Sequence, residues 1–271
     1  MPEAQLNAIV SQRIEVSPGL IIVRIVTDGW DLPDFKPGQF SVLGLPGSAP
    51  RYELSDPEES PADPDKLIKR AYSVSSASVN HEYVEFYITL VRSGALTPRL
   101  FHLREGDKLF LSPKFTGMFT LDMVPQDAHI LLLATGTGLA PYMSMLRSSL
   151  GCNADRKITV VHGARHSWDL GYRSELFTLE TICNNFTYLP IISEPAEEHV
   201  PWSGHAGFIQ ELWNDGLIAD KAGYAMTPDN THVFLCGNPL MIENMLSVLD
   251  EADFKEHSRK TPGQVHLERY W

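Results

Sequence analysis

Leu131-Leu132-Leu133-Ala134-Thr135-Gly136-Thr137-Gly138-Leu139-Ala140-Pro141 is the stretch that decides the fold. Its apolar start, residues 130–134, has the length of a buried strand. Gly136 and Gly138 then let the backbone turn tightly and approach a ligand closely. Pro141 suits the first turn of a helix. Strand, glycine turn and helix start together aim backbone N–H groups at the place where a dinucleotide pyrophosphate can sit. The third glycine of the dinucleotide fingerprint is absent. On its own, then, the stretch is equally a plain strand–helix turn.

Downstream the rhythm repeats. Strands are expected at residues 128–134, 158–162, 186–192 and 232–236, with helices at 141–150, 174–184, 208–215 and 240–250. Alternating strand and helix marks a parallel α/β sheet. A second turn, Cys236-Gly237-Asn238-Pro239-Leu240-Met241, directly follows a strand. It therefore also falls at the carboxyl end of the sheet, where open α/β sheets bind ligands. A lone cysteine there is more often a small buried hydrophobe than a reactive group, but two such turns in one sheet favour a nucleotide.

Upstream the pattern is β. Residues 20–26, 39–45, 70–76, 83–91 and 108–112 are short β-branched or aromatic runs separated by turns such as Lys36-Pro37-Gly38 and Glu105-Gly106-Asp107. Short strands at this spacing fit an antiparallel barrel. Within it, Arg70 and Tyr72 alternate onto one strand face. An arginine can clamp a phosphate while an aromatic ring stacks on a planar ligand, although the pair taken alone reads as a solvated cross-strand contact. Thr97 and Pro98 open a short helix whose start is a second candidate phosphate site. The boundary between the two patterns falls at residues 122–128. Residues 46–69 form a long, proline-rich polar loop, expected to be a mobile surface insertion rather than a cover for a ligand.

Bulk properties limit the alternatives. The chain has 271 residues and 43% hydrophobic residues, enough for two domains with cores. No run approaches the ~18 apolar residues of a membrane helix, and residues 1–11 show no signal-peptide pattern. A net charge of −12 opposes non-specific nucleic-acid binding. Residues 1–125 carry −4, with basic clusters at Lys66, Lys69, Arg70 and at Arg92, Arg99, Arg104, Lys108. Cys152, Cys183 and Cys236 are too few and too scattered for a disulfide framework or a metal site. The simplest home is the cytoplasm.

Arg70-Ala71-Tyr72-Ser73, the Gly94–Thr97 turn, Gly136-Thr137-Gly138-Leu139-Ala140-Pro141, Cys236-Gly237-Asn238-Pro239 and the ending Glu268-Arg269-Tyr270-Trp271 occur in one order. In this combination the chain resembles the bacterial ferredoxin–NADP+ reductases of the plant-type superfamily, over nearly its whole length. The resemblance implies a six-stranded antiparallel β-barrel for FAD (residues 1–123). It also implies a Rossmann-like parallel sheet for NADP(H) (residues 124–271), with a C-terminal tail returning to the flavin. It implies that Arg70 holds the FAD pyrophosphate, that Tyr72 stacks on the flavin and that Ser73 bonds near its reactive edge. Ala71, Tyr87, Ile88, Thr89, Leu90 and Trp271 would line the FAD, and Gly94, Ala95, Leu96 and Thr97 would contact its phosphates. Thr137 would touch both cofactors. Gly136, Gly138, Arg165, Gly237, Asn238 and Met241 would hold NADP(H). Cys236 and Glu268 would join Tyr72 and Ser73 as the reacting group, with no metal.

The implied activity is hydride exchange between NADP(H) and FAD, coupled to one-electron exchange with ferredoxin or flavodoxin by a monomer. Two positions depart from the family pattern: Ser193-Glu194 replaces Ser-Arg, and Gly207-Phe208-Ile209 replaces Gly-Arg-Ile. A carboxylate repels a ribose 2′-phosphate and can bond a free 2′-hydroxyl. NADPH remains the expected donor, with NADH accepted better than in relatives and Arg173 a possible compensating cation. The rival readings are an NADH-accepting flavin reductase or oxygenase reductase component, and a flavin-bound redox sensor without turnover.

Overall fold

The computed structural model describes residues 6–152 and 154–269. The chain divides into two compact units: Met1–Thr120 with Ala140–Ser149, and Leu121–Leu139 with Leu150–Trp271.

In the first unit, β1 (Ala8–Ser17), β2 (Leu20–Thr27), β3 (Phe40–Pro46), β4 (Leu67–Ser73), β5 (Val84–Thr89) and β6 (Lys108–Leu111) form an antiparallel sheet in the order β4-β3-β6-β1-β2-β5. A bridge between Val74 and Phe86 and a bond from Ser75 N to Glu85 O (2.8 Å) join its two ends, closing the expected six-stranded barrel. Closure removes the exposed edges that an open sheet would carry. Alternation along β2 sends Ile21, Val23 and Ile25 inward, where they meet Leu43, Phe86, Ile88, Leu109 and Leu111. Helix α1 (Thr97–His102) plugs this core with Leu100 and Phe101.

The unit also contains α2 (Ala140–Ser149). Its Arg147 donates to the buried Glu85 carboxylate (2.6 Å), which Arg24 (2.8 Å) and the Ser75 hydroxyl (3.1 Å) also engage. A buried carboxylate is tolerable only with partners of this kind. Strand β1 is absent from the sequence reading. Its polar residues Gln12, Arg13 and Glu15, and a register break between Val10 and Gln12, blur the alternation.

In the second unit, β7 (His129–Thr135), β8 (Ile158–Ala164), β9 (Phe186–Ile192), β10 (His205–Ala206), β11 (Thr231–Cys236) and β12 (Val265–Glu268) form a parallel sheet in the order β10-β9-β8-β7-β11-β12. The helices α3 (Arg173–Ile182), α4 (Ile209–Asn214), α5 (Leu217–Ala222) and α6 (Pro239–Glu251) lie between these strands in the chain. Residues 130–134 are buried throughout, as a strand covered on both faces requires. The expected helices and strands fall within a few residues of their observed bounds. Strands β10 and β12 and helix α5 are too short for periodicity to reveal. Among the described residues, no helix is long and apolar enough to cross a membrane.

Two expectations need correction. Cys152 and Cys183 form a disulfide. They come together because Asn185 Nδ2 bonds both Gly151 O (2.9 Å) and Arg156 O (2.8 Å), folding the loop after α2 against the end of α3. A sequence separation of 31 gives no hint of this. The long loop is also not a loose insertion. It ends at Lys66, where β4 begins, and it is pinned by buried charge, as described below.

Candidate nicotinamide and flavin sites

In the parallel sheet the chain moves outward from β7 through β8 and β9 to β10, then returns to β11 on the other side of β7. The gap between the carboxyl ends of β7 and β11 is thus the topological switch point, the usual ligand crevice of such sheets. Both glycine turns lie there. Gly136 has φ +54° and begins a short 3-10 turn, Gly136–Leu139, that leads into α2. Gly237 has φ +135°. A Cβ on Gly138 would collide with the Cys236 carbonyl, and one on Gly237 would collide with Thr135. Asn238 N donates to Thr135 Oγ1 (2.7 Å), locking the two turns together. Asn238 Oδ1 in turn accepts from Leu240 N (2.8 Å) and caps α6.

His162, wholly buried on β8, supports this seam from behind. Burial lowers its pKa to about 4, so the ring is neutral. Its Nε2 donates to Gly136 O (3.2 Å) and its Nδ1 faces the Tyr188 hydroxyl (3.5 Å). Its place in an apolar strand gave no functional signal in the sequence.

Cys236 is buried at the end of β11, paired in register with Glu268 of β12. Its Sγ lies 4.0 Å from Glu268 Oε2. Strand β12 is fastened by a histidine column: His232 Nδ1 meets His266 Nε2 (2.9 Å), and His266 stacks on Phe234 at 4.4 Å. Burial, reinforced by the neighbouring His232 and His257, lowers His266 to about 3. The structure therefore brings Gly136, Thr137, Gly138, Cys236, Gly237, Asn238 and Glu268 to one edge of the sheet. Met241 is instead packed in the core of this unit.

Farther along the same edge, β8, β9 and β10 end level: Ala164 pairs with Ile192, and Ile192 with Ala206. The next residues are Arg165, Ser193-Glu194 and Gly207-Phe208. Backbone bonds fix them, from Ser193 N to Ala164 O (3.0 Å), Glu194 N to Arg165 O (2.9 Å) and Gly207 N to Ile192 O (2.9 Å). Arg165 is exposed and Phe208 is 56% exposed. Beside them, His166 bonds Glu197 (2.7 Å) and Asp169 (3.2 Å) and stacks on Trp168 at 4.4 Å. Burial opposes the charge on His166, but the two carboxylates outweigh it and raise its pKa. Arg173 lies over the Trp202 ring at 4.8 Å.

In the barrel, Arg70 is exposed on β4 and donates one bond to Lys69 O (2.7 Å). Tyr72 packs against the core and burial raises its phenol pKa, with Arg70 opposing. Ser73 is buried and Ala71 is exposed. On β5, Tyr87 and Ile88 are buried and Thr89 is exposed; Leu90 follows, half-buried.

The Gly94–Thr97 turn is shaped from below. Arg51 donates to Arg92 O (3.3 Å) and Gly94 O (3.0 Å), and Arg99 donates to Ala95 O (2.6 Å). In a trans peptide C=O and N–H point oppositely. The N–H groups of Ser93, Ala95 and Leu96 are thereby turned away from the arginines, an arrangement suited to an anion. Both arginines are held by Glu58 of the long loop, at 3.1 Å from Arg51 and 2.8 Å from Arg99. Thr97 does not cap α1. Its hydroxyl accepts from Val91 N (3.0 Å) and donates to Val91 O (3.1 Å), and Leu96 is the capping residue. Trp271 lies outside the described residues.

The expected second basic cluster is largely neutralised. Arg99 is buried against Glu58, Arg92 pairs with Asp56 (3.2 Å) and Lys108 with Asp28 (2.8 Å). Lys66, Lys69 and Arg70 remain exposed.

A closed antiparallel barrel and a parallel sheet with two interlocked glycine turns at its switch point define a dinucleotide-dependent reductase of the barrel-plus-α/β class. Residues 132–246 match the oxidoreductase NAD-binding domain family. The chain is 33% identical over 238 residues to the flavodoxin/ferredoxin–NADP reductase of Buchnera aphidicola subsp. Baizongia pistaciae, covering 88% of each. It is 31% identical to the ferredoxin–NADP reductase of Azotobacter vinelandii, covering 87% of this chain and 86% of the relative. The crystal structure of a ferredoxin NADP+ reductase from Neisseria gonorrhoeae with bound FAD and NADP superposes with a TM-score of 0.81 at 24% identity, covering 98% of both chains. The chain belongs to the ferredoxin–NADP reductase family.

Proposed function

We propose that the chain is an FAD-dependent oxidoreductase. It exchanges two electrons with NADP(H) and single electrons with ferredoxin or flavodoxin, and bound FAD supplies the conversion between the two. The observation that carries this reading is the seam at the switch point, where Gly138 and Gly237 leave no room for a Cβ and Cys236 stands beside Glu268. Residues 124–271 hold the dinucleotide and residues 1–123 the FAD.

The residues present fit both groups. The Gly136 and Gly237 turns admit a pyrophosphate against bare backbone. Arg70 has guanidinium N–H groups open to a phosphate, and the N–H groups of Ala95 and Leu96 face away from Arg51 and Arg99. Tyr72 offers a ring whose burial keeps it neutral, and Ser73 a hydroxyl beside it. Ala71, Tyr87, Ile88, Thr89, Leu90, Gly94 and Thr97 complete the flavin wall, and Thr137 belongs to the first glycine turn of the dinucleotide site. Arg165 and Asn238 support the dinucleotide. Cys236 and Glu268 present a polar wall to the nicotinamide, orienting it rather than taking its electrons.

The carrier docks on the barrel near Lys66, Lys69 and Arg70, the basic residues left exposed. The enzyme works as a monomer in the cytoplasm. Anaerobic titration of the yellow protein with NADPH, followed by ferredoxin or flavodoxin, is the test. Bleaching followed by carrier reduction is expected, and a colourless protein that takes up no FAD would refute the reading.

A further inference from the structure

The ends of β8, β9 and β10 bear on which dinucleotide the site takes. The deduction rests on the proposed dinucleotide site and refines its substrate. In a sheet of this kind the pyrophosphate lies at the first glycine turn, and the adenosine ribose extends over the strands that follow. Here those strands are β8 and β9, and the register aligns their last residues side by side. A 2′-phosphate needs an excess of cationic donors at that point.

The two loops supply one fixed cation and four carboxylates. Residues 165–169 contribute Arg165 and Asp169, and residues 193–199 contribute Glu194, Glu197 and Glu198. Asp169 and Glu197 are engaged by His166, and Glu198 accepts from Ser167 N and Oγ, both at 2.6 Å. Glu194 is different: it is half-exposed, and among the described residues its carboxylate has no partner. Its backbone N–H is bonded to the carbonyl of Arg165, so the free carboxylate and the free guanidinium issue from adjacent strand ends. Phe208, on the third strand end, offers no donor to a phosphate. Arg173 is stacked between Trp202 (4.8 Å) and Phe177 (5.5 Å).

We infer that Glu194 makes this subsite a receptor for a free ribose diol, so that NADH is used at least as well as NADPH. Glu194 accepts from the 2′- and 3′-hydroxyls, and Arg165 donates to the same ribose. A 2′-phosphate at that place meets a carboxylate whose charge Arg165 does little more than balance. One like charge within ~5 Å of a phosphate near a protein surface changes affinity by about tenfold.

The test compares wild type, Glu194→Gln and Glu194→Arg as FAD-loaded proteins. Steady-state kcat/KM is measured for NADH and NADPH with ferricyanide. Binding of 5′-AMP and of adenosine 2′,5′-bisphosphate is measured by calorimetry, a readout independent of turnover. The wild-type ratio of NADH to NADPH should be one or higher. It should move toward NADPH by about tenfold in Glu194→Gln and about a hundredfold in Glu194→Arg. The binding preference should follow in the same order. A wild-type preference for NADPH of more than about tenfold, or a ratio unmoved in both variants, overturns the inference and leaves the reductase reading intact. Failure of both dinucleotides to bleach the flavin removes the reductase reading and the inference together.

Discussion

Replacing Glu58 by alanine tests whether the long loop is a structural strap. Glu58 Oε1 meets Arg99 Nη1 at 2.8 Å and Arg51 Nη1 at 3.1 Å, and Glu58 Oε2 meets Arg99 Nη2 at 3.1 Å. Arg99 is 3% exposed, so removing the carboxylate strands a guanidinium in the interior. Breaking a buried pair from one side costs about 3–5 kcal/mol, but Glu58 keeps 18% of its side chain in solvent and the arginines retain several carbonyl acceptors. The expected loss is about 2–3 kcal/mol, or a fall in Tm of about 6–9 °C at roughly 3 °C per kcal/mol. Glu58→Gln keeps an acceptor but not the charge and should lose about half as much.

The carboxylate also carries a pH signature. The hydrogen bond from Arg99 holds its pKa below the ordinary 4.5; burial opposes this, and the charges of Arg99 and Arg51 add to the lowering. A depressed folded pKa gives stability that is complete above pH 4.5 and lost as pH falls through the lower folded value. Wild type should therefore shed more stability than Glu58→Ala in that acidic window. Because Arg51 and Arg99 orient the Gly94–Thr97 turn, FAD affinity measured by fluorescence should fall in parallel. A Glu58→Ala protein with wild-type Tm and FAD affinity would refute the strap.

Cys236→Ala and Ser73→Ala should each slow flavin reduction about tenfold or more while changing FAD affinity far less; stopped-flow traces at the wild-type rate in both would contradict the roles given them. Gly138→Ala sets a Cβ against the Cys236 carbonyl and Gly237 N, neither of which can yield cheaply. It should cost about 1–3 kcal/mol of stability and raise the dinucleotide KM more than tenfold, measured by thermal melts and steady-state kinetics. His162 has its pKa lowered from 6.5 to about 4 by burial, so its stabilising effect is full above pH 6.5 and drains away as pH falls toward 4. The loss reaches up to about 3 kcal/mol, and a His162→Gln protein should show a flatter profile of Tm against pH across that window.

The parallel sheet was legible because β7 and β9 are largely apolar runs bounded by turn residues, and the barrel because β2 is rich in β-branched residues on both sides of Arg24. Both glycine turns could be found, since only a residue without a side chain tolerates their backbone. What stayed hidden depended on distance in the chain. Neither Glu58 nor Arg51 carries a local pattern, and their partner Arg99 looked like part of a surface basic cluster. His162 sits in an apolar strand, where a histidine signals nothing until its contact with Gly136 is seen. Thr97 and Pro98 did predict the start of α1, but the hydroxyl turned to Val91 instead, a choice set by a turn six residues upstream. Strand β12, only four residues long, has meaning solely through its pairing with β11.

The interlock of Gly138 with Gly237 is made from main chain and the Thr135 hydroxyl, while the groups proposed to meet the ribose are ordinary side chains on neighbouring strand ends. Heritable variation can therefore retune one without disturbing the other. A lineage is free to exchange Glu194 or Phe208 for a cation, or the reverse, by single codon changes that leave the glycine seam untouched. Coenzyme choice in such a protein is an easily edited trait resting on a nearly uneditable frame.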